Sequence, residues 1–344
     1  MSFPAIDLSG SPFARGKAQA GQSPDSVPAV RALVASRLAV IPQQPHVRRF
    51  LVAQWDFAQS EDAEFLSEMQ GIAAGYGLDA HDLFAFLHAG QLGGLPDDGC
   101  SSWAYSGAML VKNRDLRGPA LPLQRVFRHI DPAWNGRSML VVGSLGAPGA
   151  YSSGINSDGF ALVDTQVVTR DQGVGLLRYF LMTRLLARCA NVDDAIDLIR
   201  ATPHAGGGTL VLADASGAIA SVEIGHSKLG IDVRWDGWVA RTNHFLTPGM
   251  AERLLAQPGD AGIDGSHARL ALLTGWLEGR PTPSLGHAKA IMASHDVPGR
   301  TGLCRHGAAG GSTTVSTSLY DCSARTLEFV HGNPCHGGWT RYEL

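Results

Sequence analysis

Apolar residues recur at helical spacing through most of the first hundred positions. Residues 27–41 carry them every three or four places. Phe65, Leu66, Met69, Ile72 and Ala73 fall on one face of a further helix, with Ser60 as its cap and Gly75 and Gly77 as its close. Asp79 is placed to cap another, with Leu83, Phe86 and Leu87 inward, ending at Gly90 and the loop Gly93-Gly94-Leu95-Pro96. The stretch Gly10-Ser11-Pro12-Phe13-Ala14-Arg15-Gly16 reads as a turn.

From Cys100 onward the pattern changes to short apolar runs of strand length, at 103–111, 138–143 and 160–164, divided by Gly146-Ala147-Pro148-Gly149 and Asn156-Ser157-Asp158-Gly159. Leu177, Leu181 and Leu185 then stack at i,i+4 within 174–189, and Asn191 caps a helix through Arg200. Residues 209–213 and 219–224 form a hairpin about the turn 214–217, and 233–239 and 241–245 read as strands. Helices return at 266–277 and 285–294, followed by β-rich runs at 312–320 and 326–331. Helices and strands segregated in this way predict an α+β fold of two sheets with helices outside, not an alternating βαβ chain.

Charge narrows the partners. Lys and Arg number 28 against 31 Asp and Glu, with no run of one sign, so neither nucleic acid nor an anionic membrane is an expected partner. The start lacks a basic region followed by an apolar block, and no apolar run approaches about 18 residues. A soluble, cytoplasmic protein is expected. The 344 residues suffice for one globular unit, and five scattered cysteines are unlike a disulfide framework, so reduced thiols are expected.

The pattern changes at Gly99-Cys100, and there the chemistry is placed. Glycine leaves its carbonyl uncrowded, so the following thiol can attack it and shift the chain onto sulfur. Hydrolysis of that thioester frees Cys100 as a new N-terminus. An α-amino group titrates near about 7.7–8.0 and can take the proton of its own thiol, so one residue supplies nucleophile and base. The chain would then divide into a mostly helical segment 1–99 and a segment 100–344 led by the nucleophile. Taken alone, a thiol at a strand start is more often a buried core residue than a nucleophile.

Seven separated motifs resemble the isopenicillin N acyltransferase (acyl-CoA:6-aminopenicillanate acyltransferase) family of cysteine N-terminal-nucleophile hydrolases. They are Gly10-x-Pro12-x-x-x-Gly16, Asp98-Gly99-Cys100-Ser101-Ser102, Asn113-x-Asp115, Gly154-Ile155-Asn156-x-x-Gly159, Thr242-Asn243-His244-Phe245, Cys304-Arg305-His306 and Gly332-Asn333-Pro334-Cys335. The resemblance implies a four-layer αββα sandwich, cleavage between Gly99 and Cys100, and two chains that stay associated. It implies Cys100 as nucleophile, Asp115 as the acidic partner of the new amine, Asn243 as oxyanion donor and Arg305 as the cation of the site. An amide donates hydrogen bonds without carrying charge, which suits an oxygen that becomes negative only in the transition state. Arg114 and Asn156, inside these motifs, are candidates for substrate contact, and Arg114 stands where relatives often carry an apolar or aromatic side chain.

Other readings of the same residues are plainer. Asp115 can be a strand-end turn, Asn243 a satisfied buried amide and Arg305 a surface cation. His244 and His306 adjoin proposed site residues, but strand neighbours point to opposite faces, so both are read as structural. Cys304-x-His306 with Cys335-His336 lacks the two-to-four-residue gap of usual zinc sites, and no metal or cofactor is expected. The glycine-rich run His204-Ala205-Gly206-Gly207-Gly208-Thr209 follows a helix and precedes a strand, the reverse of a phosphate loop. The functional expectation is an amidohydrolase acting on a small N-acyl or aminoacyl amine through a thioester, with an acyltransferase or a non-catalytic binding protein as alternatives.

Overall fold

The computed structural model describes residues 4–92, 99–117, 120–255, 259–280, 282–297, 301–307 and 311–344. The loop 93–96 and Asp98 of the junction motif lie outside them. The N-terminal part runs β1 (Ile6–Ser9), α1 (Pro12–Gly21), α2 (Val27–Leu38), α3 (Pro45–Glu61), α4 (Ala63–Tyr76) and α5 (Ala80–Leu87). Strands follow as β2 (Gly99–Tyr105), β3 (Met109–Leu116), β4 (Gln124–Ile130), β5 (Ser138–Ser144), β6 (Ser153–Asn156) and β7 (Ala161–Thr165). Then come α6 (Arg178–Arg188), α7 (Val192–Ala201), β8 (Thr209–Ala213), β9 (Ile219–Ile224), β10 (Leu229–Arg234) and β11 (Trp238–Arg241). The chain ends with α8 (Ala261–Glu278), α9 (Leu285–Met292), β12 (Thr313–Asp321), β13 (Thr326–His331) and β14 (Thr340–Glu343).

Two sheets carry these strands, ordered β1-β4-β5-β6-β7-β8-β9-β10 and β11-β2-β3-β12-β13-β14. One apolar cluster joins α1 through α7 to the outer face of the eight-stranded sheet, with Ile72, Phe84, Phe180 and Leu185 in it. A second lies between the sheets, where Leu110 and Tyr320 meet Leu140, Val163 and Val211. A third seats α8 and α9 on the six-stranded sheet through Trp103, Val111, Leu273 and Met292. The layers are therefore α, β, β, α, as the resemblance implied.

Several local readings change. Ser11 caps α1 and Pro12 opens it, so the stretch read as a turn is helix. Gly16 lies inside that helix because α4 crosses there: a Cβ on it would stand 2.0 Å from the Glu68 carbonyl oxygen. Ser60 belongs to α3, and α4 ends at Gly77 in the left-handed conformation, with Gly75 still helical. The run 103–111 is a hairpin, β2 and β3, and the run 233–239 divides between the two sheets. The reversals fall at Ser106-Gly107 and Asp236-Gly237, turn residues that the reading of one continuous run passed over. Asp79 and Asn191 cap α5 and α7 as read.

The N-terminal segment is built into the sandwich. β1 pairs in parallel with β4, Ile6 against Phe127 to Ser9 against Ile130. No helix among the described residues is long and apolar enough to cross a membrane.

Candidate active site

Cys100 is the second residue of β2, which pairs antiparallel with β3: Gly99 lies opposite Asp115, Cys100 opposite Arg114, Ser101 opposite Asn113 and Ser102 opposite Lys112. Alternation then sorts the side chains. Cys100, Arg114 and Lys112 face the other sheet, where Lys112 Nζ bonds Asp164 of β7 and donates to the Ser152 carbonyl at 3.1 Å. Gly99, Ser101, Asn113 and Asp115 face the helix side, where Asn113 Nδ2 donates to the carbonyls of Met292 and Leu303 at 2.9 and 3.0 Å. The thiol and the Asp115 carboxylate thus lie on opposite faces of one sheet, with the Gly99-Cys100 peptide between them.

Asn243 stands just past β11, the strand that pairs with β2. Its Oδ1 accepts the Cys100 backbone N–H at 2.9 Å and a proton from Arg269 Nη2 at 2.8 Å. Its Nδ2 donates one N–H to the Gln166 carbonyl at 2.9 Å, and its backbone N–H is held by Ser266 Oγ at 2.7 Å. One amide N–H is therefore engaged, and a single one, not two, can serve an oxyanion. Arg269, on α8, also donates to the Cys100 carbonyl and, at 2.9 Å, to Ser101 Oγ. Burial lowers the pKa of this guanidinium, against the opposing charges of Asp115 and Cys100.

Asp115 is fully buried and accepts from Thr314 Oγ1 at 2.7 Å. A Cβ on Gly99 would lie 3.1 Å from Asp115 Oδ2 and 3.6 Å from Arg269 Nη2, so carboxylate and guanidinium both close on the residue before the thiol. Arg305 is half-buried on the segment leading to β12. Its backbone N–H donates to Thr314 Oγ1 at 2.8 Å, and its charge bears on Arg269. Burial pushes the Cys100 thiol up, and the cations that oppose this are Lys112 and Arg114. Arg305, which the resemblance implies as the cation of the site, acts on Arg269, while Lys112 and Arg114 are the cations that act most on the thiol.

Cys100 opens on a cavity of about 70 Å³ lined by Arg114, Lys112, Asp164, Tyr151 and Tyr179 and, from the N-terminal segment, by Leu33, Phe86 and Leu87. At about 10–15 Å³ per water it holds on the order of five waters, the size of a small acyl group. Arg114 donates to Gln124 Oε1 at 2.8 Å and Ser144 Oγ at 3.2 Å and lies 5.2 Å over the Tyr151 ring, which keeps it in the cavity wall. Burial alone would raise the Asp164 carboxyl, but Lys112 and Arg178 outweigh it and hold the group below the usual range.

Asn156 does not join the site. Its Nδ2 donates to the Leu186 and Cys189 carbonyls, and its Oδ1 accepts from the N–H groups of Asp158 and Phe160, so the amide ties the β6–β7 turn to α6. His244 is buried, stacks on His267 at 3.9 Å and hydrogen-bonds Ser266 Oγ at 2.8 Å. Burial, then the charges of His267, Arg269 and Arg241, push it down to about 4, so it is neutral and structural. His295, Cys304, His306 and Cys335 gather beside Arg305.

Sequence reasoning missed Arg269, Lys112, Asp164 and Arg178. A signal for Lys112 was present: Lys112-Asn113-Arg114-Asp115 puts four polar residues in a row on a strand that is buried on both faces. Arg269 offered none by spacing: it is the single arginine of α8, and nothing local in that helix shows which strand it packs against.

The family model described as acyl-coenzyme A:6-aminopenicillanic acid acyl-transferase matches residues 103–336, about two thirds of the chain, beginning three residues after Cys100. No curated protein matches the sequence. Among solved structures, the chain is similar to a mutant of conjugated bile acid hydrolase from Clostridium perfringens. That match has 10% identity and a TM-score of 0.45, and covers 72% of this chain and 92% of the other. The penicillin V acylase of Agrobacterium tumefaciens gives 13% identity, a TM-score of 0.37, and coverage of 68% and 82%.

Proposed function

Because the chain belongs to the acyl-coenzyme A:6-aminopenicillanic acid acyl-transferase family, we propose that it is a self-processing cysteine amidohydrolase that cleaves a small N-acyl or aminoacyl amide through a thioester. The observation that carries this reading is the Cys100 N–H held by Asn243 Oδ1 at 2.9 Å while the same residue opens on a cavity. In the intact chain, Cys100 Sγ attacks the Gly99 carbonyl carbon, the C–N bond breaks, and the nitrogen takes up the proton. Water then hydrolyses the thioester, leaving a carboxylate on Gly99 and a free amine and thiol on Cys100.

In the cleaved protein, Asn243 Oδ1 and Asp115 hold that amine in place. The amine takes the thiol proton, the thiolate attacks the substrate carbonyl, and the amine returns the proton to the departing nitrogen. Water completes the cycle. The second N–H of the Asn243 amide stabilises the oxyanion by roughly 3 kcal/mol. Arg114 and the aromatic walls take the acyl group. The N-terminal chain stays bound, because it supplies an edge strand and part of the cavity wall. The proposed setting is the cytoplasm, where the five free thiols stay reduced.

The family's description favours a second reading, transfer of the same acyl group to an amine. Intact mass tests the common step: fragments of about 10 and 26 kDa are expected, by scaling 36.3 kDa on length, and Cys100→Ala should remain whole. A Cys100→Ala protein that is still cut at this bond would end the proposal. A panel of acyl and aminoacyl amides, assayed for free acid and free amine, separates the two readings. Capture of the acyl group always by a second amine and never by water would make the protein a transferase.

A further inference from the structure

The segment that carries Arg305 is flanked by cysteine and histidine side chains that converge from three parts of the chain. Cys304 and His306 lie on either side of Arg305. Cys335 comes from the turn after β13, and His295 from the segment that follows α9. The ligand atoms of all four lie within 4.8 Å of one another. Cys304 Sγ stands 3.6 Å from Cys335 Sγ, and each sulfur is 3.5 Å from His306 Nε2.

These spacings have a specific meaning. Zinc binds thiolate at about 2.3 Å and imidazole at about 2.0–2.1 Å, so a tetrahedral site has S–S edges of about 3.8 Å and S–N edges of about 3.5 Å. The three edges match that tetrahedron, and His295, an exposed side chain, brings a fourth ligand atom within 4.8 Å of the others. A disulfide would need the sulfurs at about 2.05 Å. Asn333 Nδ2 donates to Cys304 Sγ at 3.4 Å and to the Arg305 carbonyl at 2.6 Å, the kind of outer support that orients a metal-bound thiolate. We propose that His295, Cys304, His306 and Cys335 form a structural zinc site that locks the Arg305 segment to the C-terminal turn and to the end of α9.

Two thiols and two imidazoles favour zinc over hard cations, and four protein ligands leave no open position, so the metal is structural and not catalytic. Binding deprotonates both thiols and releases two protons. Spacing along the chain hid the site. Cys304 and His306 are one residue apart, and the nearby His336, its ring 5.8 Å from that of His306, is displaced as a ligand by the distant His295.

The test is metal content and spectroscopy of the full-length protein purified under reducing conditions. One zinc per chain is expected. After chelation, Co²⁺ should give the visible bands and near-ultraviolet thiolate charge transfer of a tetrahedral S₂N₂ site. Cys335→Ser should weaken zinc binding at least tenfold and lose part of the charge-transfer band. His295→Ala, at an exposed position, should weaken binding without loss of the fold. The proposal is overturned by folded protein that takes up neither Zn²⁺ nor Co²⁺ at micromolar concentration, by a Cys304–Cys335 disulfide in metal-free folded protein, or by variants that keep full metal content and spectrum. None of these readouts depends on cleavage at Gly99.

Discussion

The side-chain oxygen of Asn243 lies 2.9 Å from the backbone nitrogen of Cys100 and accepts its proton. That nitrogen belongs to the bond proposed to break, so one amide positions the leaving group of self-processing and afterwards the amine of the mature nucleophile. Replacing Asn243 by Ala removes this acceptor together with the N–H proposed for the oxyanion. Turnover should fall about a hundredfold or more with little change in KM, because the donor's bond strengthens only as charge develops. Self-cleavage should slow in parallel. Steady-state kinetics and timed intact mass check both, and near-normal turnover in a folded variant would remove Asn243 from the site.

Arg269 links Asn243, Ser101 and the Cys100 carbonyl in a buried place. Arg269→Met leaves these acceptors without their cation. At about 1–3 kcal/mol for each buried group left unsatisfied, the variant should be destabilised by about 3 kcal/mol and process slowly. Urea denaturation and intact mass read the two effects. Unchanged stability would show that the guanidinium bonds contribute little.

Gly99 should matter for maturation only. An added Cβ would meet Asp115 Oδ2 at 3.1 Å, so the carboxylate must yield by a few tenths of an ångström beside the scissile bond. Gly99→Ala should therefore cleave more slowly. Once cleaved, it should turn over substrate at the normal rate, since residue 99 is then the end of the other chain. A matched loss in kcat would refute this separation.

Stability should fall with acid through His88. Burial, opposed only in part by the 2.7 Å bond between Nδ1 and the Phe84 carbonyl, pushes this histidine down to about 4. The unfolded chain takes up the proton near about 6.5 and the folded protein only near 4. Stability is thus present above about pH 6.5 and is lost as pH falls toward 4, by about 1.4 kcal/mol per unit for this group. Denaturation midpoints at pH 7, 6 and 5 measure the slope, and His88→Gln should make it less steep by this group's share, the other buried histidines keeping theirs.

Much of the fold could be read in the sequence where the cause is local. Asp79 and Asn191 cap helices because their side chains reach the next turn's N–H groups, and the 209–224 hairpin follows from a polar turn between two apolar runs. The order of segregated helices and strands, with the family motifs, was enough to place Cys100 at a strand start and to anticipate four layers. Contacts between distant segments could not be read this way. Gly16 looked like a turn glycine because nothing nearby in sequence shows that α4 crosses it. Arg269 became part of the site because α8 lies against β2, and His295 reaches Cys304 only through the turn after α9. The alternation of β2 and β3 separates Cys100 from Asp115 across a sheet, and the register that does so is set by pairing, not by either strand alone. The residue types were present in the chain; packing between distant segments decided which of them meet.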